Sequence, residues 1–222
     1  MFGGPRVYGF ATLRYLPVMS DCGCGPTEAE TKEQRRALWI ALILNGIMFA
    51  VEVTTGIIAQ STGLIADGLD MLTDASAYAI ALAAIGRSAN FKAKAATLSG
   101  SLLMLVGIGV LGDVVRRAII GSTPEGSWMI AVALLALIVN VVVLRLLSKQ
   151  RRDEVHIRAA WIFTRPDIVA NSAVIASGVA VLLTSIGYFD LVVGAAIGLY
   201  VVKEALEILR DAKKARVESK LG

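Results

Sequence analysis

The sequence predicts an all-α integral membrane protein of six transmembrane helices with both termini in the cytoplasm. Three observations carry that prediction. Of 222 residues, 56% are hydrophobic and only 18% charged, whereas a soluble domain carries about 25% charged residues. Apolar stretches near 20 residues long alternate with short polar breaks, which suits a hydrocarbon core about 30 Å thick. Six such spans need about 126 residues, close to the whole apolar content and leaving little for a soluble domain. Third, the basic residues lie almost all on one side.

The first span runs from about Ala37 to Ala59 and breaks at Gln60-Ser61-Thr62-Gly63. The second covers Leu64 to Ile85 and ends at Gly86-Arg87, and the third covers Ala96 to Ile120 before Gly121 to Gly126. The fourth spans Trp128 to Leu147, ahead of a charged run from Lys149 to Arg158. The fifth covers Ala159 to Ser185 and the sixth Phe189 to Leu209. Nothing alternates with period two over ten residues, so no span reads as a barrel strand. The organisation is a segment at 1–36, a transport domain at 37–210 and a short tail at 211–222. Met19 is an alternative start to Met1, and the first twenty residues lack the apolar core of a signal peptide.

Of 22 basic residues, 19 lie before span one, between spans two and three, between four and five, or at the end of span six and beyond. Only Arg116 and Arg117 fall on the opposite side, and Arg165 lies inside span five. The excess of Lys and Arg marks cytoplasmic loops and places the protein in the cell membrane. The net charge of +4 and pI near 9.2 therefore reflect topology rather than a nucleic-acid surface. Trp39 and Trp161 near the inner boundary, with Trp128 and Tyr188 near the outer one, match aromatic belts; ordinary lipid-facing aromatics predict the same.

Ionisable groups at membrane depth are costly unless paired, hydrated or metal-bound, so each is a functional candidate. Span two holds Asp67, Asp70 and Asp74, at i, i+3 and i+7 on one helical face. Three like charges on one stripe call for a divalent cation or bound protons, or else for a helix end in water. Span five offers Asp167 and Asn171 one turn apart, with Pro166 able to kink the helix and free a carbonyl nearby. Arg165 either snorkels or pairs with an acid. Span one adds Asn45, a candidate outer-shell partner, and Glu52, which shares its face and is expected in the site or in an extracellular cavity. Asp113 with Arg116 and Arg117 reads as a structural ion-pair group.

The strings Asn45 to Glu52 and Leu64 to Asp74 resemble the first two spans of the cation diffusion facilitator family, six-span exporters of divalent metals such as zinc. The resemblance covers roughly residues 37 to 210. It implies that Asp70 and Asp74 are metal ligands on span two and Asp167 on span five. It departs from the family at Phe163, which stands where a His or Asp ligand is usual and cannot ligate. The fourth ligand is then Asn171, Asp67, a carbonyl or water. The family also appends a cytoplasmic domain that helps it dimerise, and about a dozen residues follow span six here. The expected form is a short one, a homodimer through membrane helices or tails.

The resemblance implies metal-for-proton antiport, in which clustered carboxylates hold protons when metal is absent and release them to it. The metal, Zn²⁺ first with Cd²⁺ or Co²⁺ next, is cargo, and no resident cofactor is expected. An all-oxygen site also suits a Mn²⁺ or Fe²⁺ exporter of the same fold, and a passive cation channel is the other alternative. Cys22 and Cys24, too close to staple a fold, are either a weak capture tether in the cytoplasm or without a role. His156 is either a loose cytoplasmic ligand or part of a solvated loop. An enzyme is disfavoured, since no motif unites nucleophile, base and oxyanion donors. Gly194-x-x-x-Gly198 in span six and the glycines of span three (Gly100, Gly107, Gly109, Gly112) allow close packing, within a subunit or across a dimer.

Overall fold

In the computed structural model, residues 32–83, 89–148 and 154–221 are described, with the backbone alone at 34, 89, 154–165 and 218–221. Six α-helices occur among the described residues: α1 (Lys32–Ile58), α2 (Thr62–Ala83), α3 (Ala89–Ile120), α4 (Gly126–Ser148), α5 (Glu154–Thr184) and α6 (Tyr188–Leu221). A hydrocarbon solvent leaves the backbone no partner but itself, which forces helices here. Hydroxyls within the helices obey the same constraint. Thr73 donates to the carbonyl of Leu69 (3.0 Å) and Thr97 to that of Ala93 (2.7 Å).

The helices outrun the apolar windows that predict them. α1 starts five residues before Ala37, α3 takes in Lys92 and Lys94, and α6 runs on through the tail. Hydropathy marks where the bilayer is crossed, not where backbone hydrogen bonding stops. Four segments are long and apolar enough to span by composition alone: Arg35–Ile58, Asn90–Ile120, Gly126–Ser148 and Pro166–Thr184. α2 is interrupted by Asp67, Asp70 and Asp74, and the apolar stretch of α6 is bounded by Asp190, Lys203 and Glu204.

Successive helices are antiparallel, and the turns after α1, α3 and α5 lie together at the outer end. Gln60 (φ 52°), Gly121 (φ 95°) and Ser185 (φ 58°) adopt the left-handed conformation that closes each of those helices. The Arg117 guanidinium donates to the carbonyl of Gln60 (2.6 Å) and to Asp113 (2.6 Å), tying α3 to the first turn. This confirms the structural pairing read for Asp113.

α2 is the central helix, packed against α1, α6 and α3, with α5 and α4 also in contact. Its core partners include Met129 and Val132 of α4, Val174 of α5 and Val201 of α6. α3 packs chiefly on α6: a Cβ at Gly107 would meet Val202 at 2.9 Å and one at Gly198 would meet Leu111 at 3.1 Å. Those glycines pack spans three and six within one subunit. Gly194 serves a different contact, since a Cβ there would lie 2.6 Å from Thr62 Oγ1. Gly109 and Gly112 face open space. Trp39, Trp128 and Tyr188 are exposed, as boundary aromatics should be.

Candidate metal centre

Helix register places the polar residues in depth. Gly56 abuts Leu64 and Ile65, and Gly68 abuts Glu52 and Val53, so α1 and α2 run antiparallel with Glu52 opposite Gly68. One further pair of turns inward, Asn45 comes level with the region of Asp74. α6 runs parallel to α2, anchored where Thr62 meets Asp190 and Gly194. Twelve residues along α2, about 18 Å, lies Asp74; a similar distance along α6 lies Glu204. On α5, Val174 packs 3.7 Å from a Cβ built at Gly63. Asn171 and Asp167 lie on the same stripe as Val174, one and two turns further in.

These registers bring four helices to one cluster. Asp70 stands within electrostatic reach of Asp74, Asp67 and Glu204. Asp167 is within reach of Asp74, Asp70, Asp67 and Glu204. Asp67, Asp70, Asp74 and Asp167 are thus neighbours across α2 and α5, and Asn171 lies one turn from Asp167 on α5. Asp67 and Asn171 are wholly buried, Asp70 is 9% exposed, and Asp74 and Asp167 are partly exposed. In this conformation no three His, Cys, Asp or Glu side chains among the described residues converge tightly enough to hold one ion. The carboxylates neighbour one another without closing on a point.

The cluster has few donors. Asn171 gives its Nδ2 hydrogen to the carbonyl of Asp167 (2.8 Å), leaving Oδ1 without a partner. The Asp67 carboxyl meets no donor other than the Glu52 carboxyl. Asn45 donates to the carbonyl of Ala41 (2.9 Å), and its Oδ1 is likewise unmatched. The Tyr78 hydroxyl lies within hydrogen-bonding reach of Asp74. No ion pair among the described residues engages Asp67, Asp70, Asp74 or Asp167. Buried acids without countercharge need a cation or protons to be tolerated.

Two expectations need correction or completion. Glu52 does not face outer water. It is fully buried, with its carboxyl against that of Asp67 and no other donor near either. A one-turn glycine at position 68 lets α1 approach closely enough to bring them together. Sequence reasoning also missed Glu204, which is 6% exposed and joins the cluster from α6. The available signal was its place on the buried stripe of Ile197, Val201 and Ala205. It stands between Lys203 and Glu207 near the charged end of span six. Cys22 and Cys24 lie outside the described residues, as do the side chains of His156, Phe163 and Arg165.

The outer end of the cluster is sealed. The carboxylate of Asp190, fully buried, accepts from the Ser61 hydroxyl (2.6 Å), the Thr62 amide (2.6 Å) and hydroxyl (2.9 Å), and the Gly63 amide (3.0 Å). It caps α2 from another helix. From Ser61 to Met71 every residue but Ile65 is buried, while from Ser76 to Leu82 every residue is partly exposed whichever face it occupies. The cluster is closed outward and loosely packed inward.

Residues 38–215 match the cation efflux transmembrane domain. The metal cation efflux system protein CzcD of Cupriavidus metallidurans is 30% identical over 208 residues, covering 88% of this chain and 66% of CzcD. The zinc transporter ZitB of Escherichia coli is 25% identical over 202 residues, 85% of this chain and 64% of ZitB. A cadmium, cobalt and zinc/H(+)-K(+) antiporter of Bacillus subtilis is 19% identical over 192 residues, 80% and 62% of the two chains. The chain spans about two thirds or slightly less of the length of these relatives. With the family domain matched across all six helices, the chain is a multi-pass membrane protein and belongs to the cation efflux, or cation diffusion facilitator, family.

Proposed function

We propose that this protein exports divalent transition-metal ions from the cytoplasm in exchange for protons, with Zn²⁺ the main cargo and Cd²⁺ and Co²⁺ also carried. The reading is supported above all by the buried and partly buried carboxylates of α2 and α5, which neighbour one another at membrane depth without an ion-pair partner among the described residues. Asp70, Asp74 and Asp167 are the proposed ligands, with Asn171 and Asp67 completing the shell and Asn45 behind it. The metal is cargo, and no resident cofactor takes part. The names of CzcD, ZitB and the antiporter support both the ions and the exchange.

Chemistry and geometry fit together in this reading. Ionised carboxylates bind the cation, and protons neutralise them once it has left. The loose inner half of α2 admits ions from the cytoplasm, and the sealed outer end keeps the bilayer from leaking. Ligands drawn from two helices of one chain favour a carrier over a channel, which usually assembles like residues from several subunits. The protein is proposed to act as a homodimer. Gly109 and Gly112 of α3, open to their surroundings beside exposed Leu105 and Ile108, provide a small-residue surface on which two helices can approach closely.

Zinc uptake into inverted vesicles, driven by an imposed pH gradient, tests the reading. Asp70→Ala and Asp167→Ala should each abolish it. Full transport by either variant removes the site, and flux indifferent to the gradient replaces the antiporter with a channel.

A further inference from the structure

We infer that the inner ends of α3 and α6 form one docking surface for anionic phospholipid headgroups of the cytoplasmic leaflet, carried by Lys94, Arg210, Lys213 and Lys214. The inference concerns the lipid around the bundle and stands apart from the metal site.

In the sequence these cations belong to two separate segments, the break between spans two and three and the end of span six. The structure makes both segments helical and packs α3 on α6. A Cβ at Gly107 would meet Val202 at 2.9 Å, and one at Gly100 would meet Ile208 and Leu209 at 3.0 Å. The same antiparallel register, continued inward, sets Lys94 level with Lys214. Ala93 and Ala212 are 2% and 3% exposed, so both helices are still packed at that depth.

Each helix carries a stripe of exposed apolar residues that runs into these cations. On α6, Val192, Leu199 and Leu206 are exposed at seven-residue steps. One more step reaches exposed Lys213, with exposed Arg210 and Lys214 beside it on the same face. On α3, Leu105, Leu102 and Leu98 are exposed at steps of three and four, and the next step reaches exposed Lys94. Exposed Lys92 adds a charge at the edge. A lipid-facing stripe that turns cationic marks the headgroup level. Depth agrees: Tyr188, at the outer boundary, and Arg210 are about 33 Å apart along α6, just more than the hydrocarbon core of about 30 Å.

These charges are not engaged within the protein. At the outer end of α3, Arg116 and Arg117 are both held by Asp113. At the inner end, no ion pair among the described residues engages Lys92, Lys94, Arg210, Lys213 or Lys214. From Arg210 to Val217 the single acid is Asp211, and from Ala89 to Leu98 there is none, so the surface is net positive. Each Lys or Arg near a membrane surface strengthens attraction to anionic lipid about fivefold. The choline of phosphatidylcholine cancels its own phosphate, whereas phosphatidylglycerol keeps a net negative charge for the surface to hold.

The test reconstitutes the full chain in phosphatidylcholine bilayers with a trace of spin-labelled phosphatidylglycerol or spin-labelled phosphatidylcholine. Electron paramagnetic resonance then reads the fraction of label immobilised at the protein. The parent should hold phosphatidylglycerol about fivefold more strongly, and the ratio should fall as salt rises. Lys94→Gln, Arg210→Gln, Lys213→Gln and Lys214→Gln together should at least halve that ratio. Arg116→Gln at the outer end should match the parent, as should the charge-keeping set Lys94→Arg, Lys213→Arg and Lys214→Arg. Equal hold of both lipids by the parent, or an unchanged ratio in the neutralised variant, would overturn the inference. So would displacement of labelled phosphatidylglycerol by inorganic phosphate where chloride of equal ionic strength leaves it bound, since that marks a site for soluble anions. If the fourfold variant does not fold, Lys213→Glu decides alone: an unchanged ratio refutes the surface.

Discussion

Removing the Asp190 carboxylate should loosen the outer end of the bundle by an amount that the geometry sets. Asp190→Ala leaves four donors without their acceptor. The two hydroxyls can rotate to other oxygens; Thr62 Oγ1 already lies 3.3 Å from the carbonyl of Asp190 itself. The amides of Thr62 and Gly63 cannot rotate, and both are in a wholly buried setting. At about 1–3 kcal/mol for each orphaned donor, the loss is about 2–6 kcal/mol. Asp190→Asn keeps one acceptor oxygen and should lose about half of that. Reversible unfolding of the purified protein in mixed detergent–SDS micelles measures both. A double-mutant cycle with Thr62→Val should show a coupling of about 0.5–1.5 kcal/mol, since the two residues share a hydrogen bond. A loss below about 0.5 kcal/mol for Asp190→Ala, or zero coupling, would refute the view that this carboxylate closes the outer end.

Gly194→Ala pushes a methyl to 2.6–2.8 Å from Thr62, including its backbone, and should cost about 1–3 kcal/mol in the same unfolding assay. Gly109→Ala meets nothing and should be neutral or gain up to about 1 kcal/mol from helix propensity. Arg117→Ala breaks bonds to both Asp113 and Gln60 and should lose about 1–2 kcal/mol, whereas Arg116→Ala, an exposed pair, should stay within about 0.5 kcal/mol. Asn171→Ala removes a buried oxygen beside the cluster and should weaken Zn²⁺ binding about 10-fold in competition titrations, with little change in helix content by circular dichroism.

The residues that could be read from sequence are those whose meaning is local. Asp67, Asp70 and Asp74 announce a helical face by spacing alone, and Asp167 with Asn171 does the same one turn apart. The residues that could not be read depend on which helix lies beside which. Asp190 looks like an acid in the first turn of its own helix, where acids are ordinary; its role is to cap α2, 128 residues away. Glu204 looks like part of a charged inner terminus until the Gly194–Thr62 contact fixes the register of α6 on α2. Glu52 and Asn45 share a face by their seven-residue spacing, but only the close approach at Gly68 shows that Glu52 meets Asp67 and not outer water. Glycine thus carried the information that hydropathy lacked: at 68 and 194 it decides how deep one helix sits against another.

The same contrast explains how an ion could move the protein. Along α2 a tightly packed outer half, capped by Asp190, passes into an inner half partly exposed on all faces, and Asp70 and Asp74 lie near the transition. Breaking the cap costs about 2–6 kcal/mol. A ligand shifts such an equilibrium only by the difference in its affinity for the two states, and full inversion of a two-state population takes about 5.5 kcal/mol. Metal and protons are therefore matched to the task if they bind the closed and open states differently by a few kcal/mol. The outer cap joins α6 to α2 through Asp190 and Thr62. The α2–α6 contact therefore links the cap at Asp190 to the helix that carries Asp67, Asp70 and Asp74.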